Sequence, residues 1–170
     1  MTLKLIGVVL IIVGCGGVGF LIAASHKKEV KTLRQLISAL DYMQCELEYR
    51  MPALPELCRQ AAQMLSGPLK SLFIKLALEM DNQIAPNVEK CMFAALEKSG
   101  DIPRHTKRLL QELGSLLGCF DITGQIKGLE TIRMESSKIL NECSKNQDVR
   151  IRSYQTLGIC AGAALAILLV

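Results

Sequence analysis

The chain has 170 residues, of which 50% are hydrophobic and 21% charged, and its formal net charge is +4 at pH 7. So weak and dispersed a positive charge, with 4% aromatic residues and no tryptophan, removes nucleic acid from the expected partners. Every acidic residue, and every basic residue except Lys4, lies between Ser25 and Arg152, so two apolar ends enclose a middle region large enough for one hydrophobic core.

The first apolar stretch contains glycines in the spacing G-x-G-x-x-G, at Gly14, Gly16 and Gly19. A dinucleotide-binding turn would also need a preceding strand, and a second strand ending in an acidic residue about twenty residues on. The chain instead continues with apolar residues at three- and four-residue intervals, which is the helical period. Residues 5–24 carry no charged side chain, and as a helix they would span roughly 30 Å. We therefore predict a transmembrane helix at residues 1–25 and no cofactor.

A cleaved signal peptide is the alternative for this segment, because a lysine precedes the apolar run and small residues follow it. The apolar run is longer than the usual signal of about 7 to 15 residues, which favours a retained anchor. Basic residues after the first apolar segment and before the second predict a cytoplasmic middle region by the positive-inside rule. These residues are His26, Lys27, Lys28, Lys31 and Arg34, then Lys145, Arg150 and Arg152.

The middle region, residues 26–152, is predicted to be an all-α cytoplasmic bundle of about six helices. The first helix is expected to end near Arg50, because the residue before Pro52 is disfavoured in a helix. Proline or glycine marks most of the later boundaries. Pro55, Pro68 and Pro103 are each placed to start a helix, and Gly100 to cap the fourth.

Apolar residues at helical spacing predict which side chains form the core. In the first three helices they are Val30, Leu33, Leu36, Ile37, Leu40, Met43 and Leu47; Leu57, Ala61, Ala62, Met64 and Leu65; and Leu69, Leu72, Phe73, Leu76 and Met80. In the last three they are Val88, Cys91, Met92, Ala95 and Leu96; Leu109, Leu110, Leu113, Leu116 and Leu117; and Ile122, Ile126, Leu129, Ile132, Leu140 and Cys143. The sixth helix is expected to run on into the second apolar segment.

Residues 157–170 are wholly apolar, and with the approach from Ser153 they are just long enough to span a bilayer, so 153–170 is predicted as a second transmembrane helix. A buried core helix is the rival interpretation for so short a segment. Small residues recur every four positions in both apolar ends, which would allow close helix packing, although glycine is also tolerated on a lipid-facing surface. They are Cys15, Gly19 and Ala23, and Gly158, Gly162 and Ala166.

The sequence offers little chemistry. The seven cysteines include no C-x-x-C pair and have no nearby histidine partner, which indicates a reducing compartment and no metal site. His105 stands without a nucleophile, and no phosphate loop is present, so we predict no catalytic residue and no enzymatic activity. Arg104, Lys107 and Arg108 share one helix face, which is either solvated or contacts anionic lipid or an acidic partner.

Four segments carry a family resemblance: "LKLIGVVLII" at the start, "LRQLISALDYMQCELEYRMPALPELCRQAA", "LLQELGSLLGCFDITGQ", and the apolar end after "RSYQTLG". Together they resemble the stage III sporulation protein AB family of endospore-forming bacteria. The portion from "RQL" to "PALPE" is also similar to the helical cytoplasmic domain of platform proteins of type II secretion and type IV pilus systems. The chain departs there by having Met51, Pro52 and Ala53 where those relatives more often have Thr, Pro and Leu.

The resemblance implies a two-pass subunit of the channel complex between mother cell and forespore, in the mother-cell membrane, with its middle domain in the cytoplasm. It implies a secretion-type ATPase subunit and other membrane subunits as partners, beside the lipid bilayer. Lacking a nucleotide loop, the chain would act as a platform that couples the ATPase to membrane components. Two alternatives remain: an enzyme with an unrecognised site, and a membrane-anchored helical adaptor or signalling protein unrelated to sporulation. Association with further copies of the chain is left open.

Overall fold

The computed structural model describes the backbone of residues 2–82, 87–117 and 121–169, and the side chains of residues 25, 27–82, 87–117 and 121–145. The elements in the described residues are all helices, which confirms the predicted all-α class. They are α1 (Thr2–Tyr49), α2 (Leu54–Met64), α3 (Pro68–Asp81), α4 (Val88–Glu97), α5 (Arg104–Leu116) and α6 (Ile122–Leu169).

The chain divides into two compact units, one formed by residues 1–28 and 141–170 and the other by residues 29–140. Apart from Ser25, the side chains of both predicted membrane spans lie outside the described residues, including those of the small residues Cys15, Gly19, Ala23, Gly158, Gly162 and Ala166. Among the residues that are described, no helix combines the length and the apolar character needed to cross a membrane.

The structure differs from the prediction at α1 and agrees with it at α6. Residues 5–24 and the first helix of the middle region were expected as separate helices, but the backbone forms one continuous α1. No proline lies in this stretch to interrupt it. The expected extension of the sixth helix is confirmed, since α6 runs without a break from Ile122 to Leu169.

Proline sets most of the helix starts, as expected. Pro55 is in the first turn of α2, and Pro68 is the first residue of α3, positions where the missing N–H costs nothing. Pro103 lies one position earlier than expected, as the residue before α5. The predicted glycine cap of α4 is wrong, because the helix ends at Glu97 with right-handed Lys98 as its cap, before Gly100 is reached.

The core of the unit 29–140 combines apolar residues from all six helices. Its largest fully buried side chains are Phe73, Leu33, Leu36, Leu40, Met43, Leu57, Leu69, Leu72, Leu76, Met92, Leu109 and Leu110, all of them in the predicted core. Met64 and Ile122 were also predicted to be buried, and both are exposed. Met64 is the last residue of α2 and Ile122 the first of α6, where neighbouring helices no longer cover the stripe.

Polar side chains join α1 to the helices around it. Gln35 donates a 2.6 Å hydrogen bond to the hydroxyl of Ser66, and the Tyr42 hydroxyl donates to Gln60 across 3.2 Å. Going from Gln35 to Tyr42 along α1, the partner changes from Ser66 back to Gln60. Helices α1 and α2 therefore run antiparallel. The "RQL" motif therefore has a structural role, since Leu36 lies in the core while Gln35 holds the turn between α2 and α3.

Two helices approach unusually closely at Gly114 of α5. A Cβ atom built on this glycine would lie 2.7 Å from Cβ and 2.9 Å from Cγ of Met92, and 3.5 Å from Cα of Glu89. Met92 is itself buried in the core, so a shift of its side chain would disturb packed neighbours. The absence of a side chain at position 114 is what lets α4 and α5 pack at this distance.

The turn after α1 carries a strained backbone at Met51. This residue has φ 49° and is the one non-glycine residue with positive φ in the described chain. Its N–H and that of Arg50 both donate to the carbonyl of Glu46, at 3.0 and 2.9 Å, so Met51 occupies the helix-ending position that glycine or asparagine usually fills. The methionine side chain is 60% exposed, so little burial offsets the strain.

Replacing Met51 by asparagine should raise the free energy of unfolding by about 0.5–1 kcal/mol, because asparagine tolerates the left-handed conformation and an ordinary residue pays roughly 1–2 kcal/mol there. Urea unfolding of residues 26–152, followed by circular dichroism, measures this change. Met51→Val is the matched control and should destabilise, since a β-branched residue fits positive φ worst. Stabilisation by valine would contradict the strain argument.

Candidate interaction surfaces

The basic face predicted on α5 is present at the start of that helix. Arg104, Lys107 and Arg108 are all exposed. The first turn of α5 carries no acidic residue, and Pro103 before it provides no side-chain cap, so positive side chains stand on the positive end of the helix dipole. Glu112 accepts a 3.0 Å hydrogen bond from Nε of Arg108 and, chiefly through this bond, raises the pKa of that arginine. Arg104 and Lys107 therefore carry most of the charge that this face can offer to an anionic partner.

A second surface, which we call the α3 stripe, was missed by the sequence interpretation. Ile74 and Leu78 lie one turn apart on α3 and are 40% and 51% exposed. Together with Gly67, Lys70, Ser71 and Lys75 they line a shallow, open depression of about 480 Å³. The sequence carried a local signal, because Ile74 and Leu78 are apolar residues outside the predicted core stripe of α3, which includes Leu72, Phe73 and Leu76.

A third surface, the α4 stripe, consists of Glu89, Phe93 and Glu97 on the outer side of α4. Phe93 is 55% exposed, and both glutamates are exposed as well. The spacing of four residues places the aromatic ring between two carboxylates along one face of the helix. The sequence interpretation missed Phe93 because Cys91, Met92, Ala95 and Leu96 already satisfied the helical period.

A buried carboxylate fixes α3 against α4. Glu79 of α3 is buried, and its Oε1 accepts a 2.5 Å hydrogen bond from Nζ of Lys98. The backbone carbonyl of Lys98 in turn accepts a hydrogen bond from Nζ of Lys75. A buried charge is tolerated only when it is paired, and here the pair joins α3 to the cap of α4. The positions of the α3 and α4 stripes relative to each other are therefore fixed.

The described residues contain no group of three or more His, Cys, Asp or Glu side chains placed to hold a metal ion. Four cysteines have described side chains: Cys45 is exposed, Cys143 is half-buried, and Cys58 and Cys91 are buried. Burial raises the pKa of the Cys58 thiol to about 12. A thiol so hard to ionise is a poor nucleophile and a poor metal ligand, so Cys58 acts as a small core side chain.

Cys58 should make the fold lose stability in alkaline solution. The folded pKa of about 12 lies above the ordinary value of 9.0, so between these pH values the unfolded chain releases a proton that the folded chain retains, and stability falls as pH rises. Between pH 7 and pH 10.5 the free energy of unfolding should fall by about 2 kcal/mol less in Cys58→Ala than in the wild type. Urea unfolding at the two pH values measures this difference. Replacement of the exposed Cys45 by alanine should leave the wild-type loss unchanged, and an equal effect of both substitutions would contradict this origin.

In the described residues the fold is all-helical, and its surface carries a basic face and two stripes with exposed apolar centres, the α3 and α4 stripes. Residues 4–170 match the family described as stage III sporulation protein AB. The chain belongs to the stage III sporulation protein AB family, and its role is therefore related to sporulation.

Individual relatives agree with this assignment. The chain is 25% identical over 170 residues to "Stage III sporulation protein AB" of Bacillus subtilis (strain 168), a match that covers 98% of this chain and 99% of the relative. It is also similar to a solved structure of stage III sporulation protein AB (SpoIIIAB), with a TM-score of 0.63 and 21% identity. That match covers 72% of this chain and 98% of the other, and it supports the helical fold.

Proposed function

We propose that the chain is a non-enzymatic platform subunit of the channel complex between mother cell and forespore. Residues 1–25 and 153–170 would anchor it in the mother-cell membrane, and residues 26–152 would form its cytoplasmic domain. Its partners would be a secretion-type ATPase subunit and other membrane subunits. The observation that carries the proposal is the family match over residues 4–170, which includes both apolar ends as well as the helical middle.

Several features support a platform that works through contacts rather than through chemistry. The described residues offer exposed stripes and a basic face, and surfaces of this kind suit protein partners or lipid headgroups. In this proposal Arg104, Lys107 and Arg108 contact an acidic partner or anionic lipid. The small residues Cys15, Gly19, Ala23, Gly158, Gly162 and Ala166 would let the membrane helices pack closely.

Co-purification from sporulating cells tests the proposal directly. A tagged full-length chain, extracted with detergent, should bring with it the ATPase subunit and membrane subunits of the channel complex. Arg104→Glu combined with Lys107→Glu should reduce recovery of whichever partner uses the basic face. Deletion of the gene should block spore formation. Normal spore formation in the deletion strain would instead favour the alternative of a membrane-anchored adaptor unrelated to sporulation.

The proposed topology predicts which thiols an impermeant reagent can reach. Cys45 is exposed, so in a chain that retains only this cysteine, labelling should require permeabilised membranes. The control chain carries Thr2→Cys as its single cysteine, and its amino terminus should be labelled in intact vegetative cells that express the chain, where the outer face of the membrane is open to the medium. Labelling of Cys45 in intact cells, with Thr2→Cys protected, would show that the topology is inverted.

A further inference from the structure

The α3 and α4 stripes are opposite in charge and alike in their apolar centres. Lys70 and Lys75 accompany Ile74 and Leu78 in the depression on α3, and no acidic residue lines it. Glu89 and Glu97 flank the exposed Phe93 on α4, and together with the neighbouring exposed Lys90 they leave this stripe with a net charge of −1. Each stripe therefore complements the other, since both expose apolar side chains and their charges are opposite in sign.

The charged groups of the two stripes can reach one another. Glu89 and Glu97 are eight residues apart, so their positions along the helix axis differ by about 12 Å. Lys70 and Lys75 differ by about 7.5 Å along their axis, and their flexible four-carbon side chains cover the remaining distance. Phe93 is the kind of aromatic side chain that anchors protein interfaces, and the open depression at Ile74 and Leu78 offers it an apolar floor.

We propose that these stripes form an interface between two copies of this chain, in which the α4 stripe of one copy docks on the α3 stripe of the next. Phe93 lies against Ile74 and Leu78, and the flanking glutamates face Lys70 and Lys75. Each stripe is one face of a single helix, of 14 residues for α3 and 10 for α4, whereas a stable soluble complex buries roughly 800 Å² per partner. Association is therefore weak in solution and strengthens where copies are concentrated, for example by tethering to one membrane.

Charge reversal on each stripe tests this interface in the detergent-solubilised full-length chain. Lys70→Glu with Lys75→Glu reverses the α3 stripe, and Glu89→Lys with Glu97→Lys reverses the α4 stripe. Chemical cross-linking over a range of concentrations, resolved by gel electrophoresis, measures association. Each reversal alone should weaken it roughly tenfold, because like charges then oppose one another. Both reversals in the same chain should restore it, since the charges are again complementary.

Two further chains keep the result interpretable. Lys127→Glu with Lys138→Glu changes the net charge as much as the α3 reversal does, at exposed positions of α6, and should leave association unchanged. Phe93→Gln removes the anchor without changing charge and should weaken association. Melting temperatures near the wild-type value show that the variants are folded, including the α3 reversal, which also removes the hydrogen bond from Lys75 to the carbonyl of Lys98.

Three outcomes would overturn the proposal. The first is a wild-type chain that remains monomeric at every concentration, and the second is single-stripe reversals that associate as the wild type does. The third is a folded doubly reversed chain that fails to regain association. Failure of this interface is distinguishable from failure of the proposed platform function, because the cross-linking assay contains no other subunit.

Discussion

Replacing Phe73 by alanine should lower the free energy of unfolding by about 3–5 kcal/mol, the largest stability effect that we expect in this chain. Phe73 is fully buried in the core of the unit 29–140, among leucines of neighbouring helices. Removing the ring loses its burial and also leaves a cavity that the packed helices around it cannot close completely. Urea unfolding of residues 26–152, followed by circular dichroism, gives the change directly.

The next residue along the helix provides a matched control. Ile74 is 40% exposed on the same helix, so Ile74→Ala should cost about 1 kcal/mol or less. Both substitutions remove a large apolar side chain, and only burial separates them. Equal losses at positions 73 and 74 would show that α3 is not oriented in solution as the structure has it.

Replacing Gly114 by alanine should destabilise the protein by about 1–2 kcal/mol, although the same exchange in an ordinary helix interior stabilises it by about 1 kcal/mol. The new methyl group would lie 2.7 Å from Cβ of Met92, an atom fixed to the backbone of α4. The two helices must therefore separate, and that separation disturbs the core around Met92. Thermal or urea unfolding of the same segment detects the loss.

Gly100→Ala is the control for this second effect. A Cβ atom at Gly100 would meet nothing within 4 Å, and its φ is not positive, so stability should change by less than about 0.5 kcal/mol. If Gly114→Ala instead stabilised the protein, α4 and α5 would have to pack less closely than the structure shows.

The helix boundaries were predictable because proline acts locally. Its missing N–H and fixed φ restrict where a helix can begin, whatever surrounds it, and Pro55 and Pro68 behave accordingly. Glycine was a weaker guide. Gly100 suited a left-handed cap, but α4 had already ended at Glu97, and the strained position after α1 is occupied by Met51 instead.

The core was also predictable, since buried side chains follow the helical period, but the candidate surfaces were only partly so. The exposed basic residues at Arg104, Lys107 and Arg108 follow from their charge. Exposure of Ile74, Leu78 and Phe93 depends on which neighbouring helix lies beside each face, and periodicity within one helix carries no such information. An apolar residue outside the main stripe of its helix is the local signal that could have drawn attention to them.

The contact between Gly114 and Met92 also constrains how the sequence can drift among related chains. A larger residue at position 114 becomes acceptable only after position 92 has lost bulk or the two helices have moved apart, so one change alters the fitness of the other. Even at 25% identity, relatives that keep this helix pair should therefore vary at the two positions together. A substitution history reconstructed across the family should show the smaller residue at position 92 arising before any side chain at position 114.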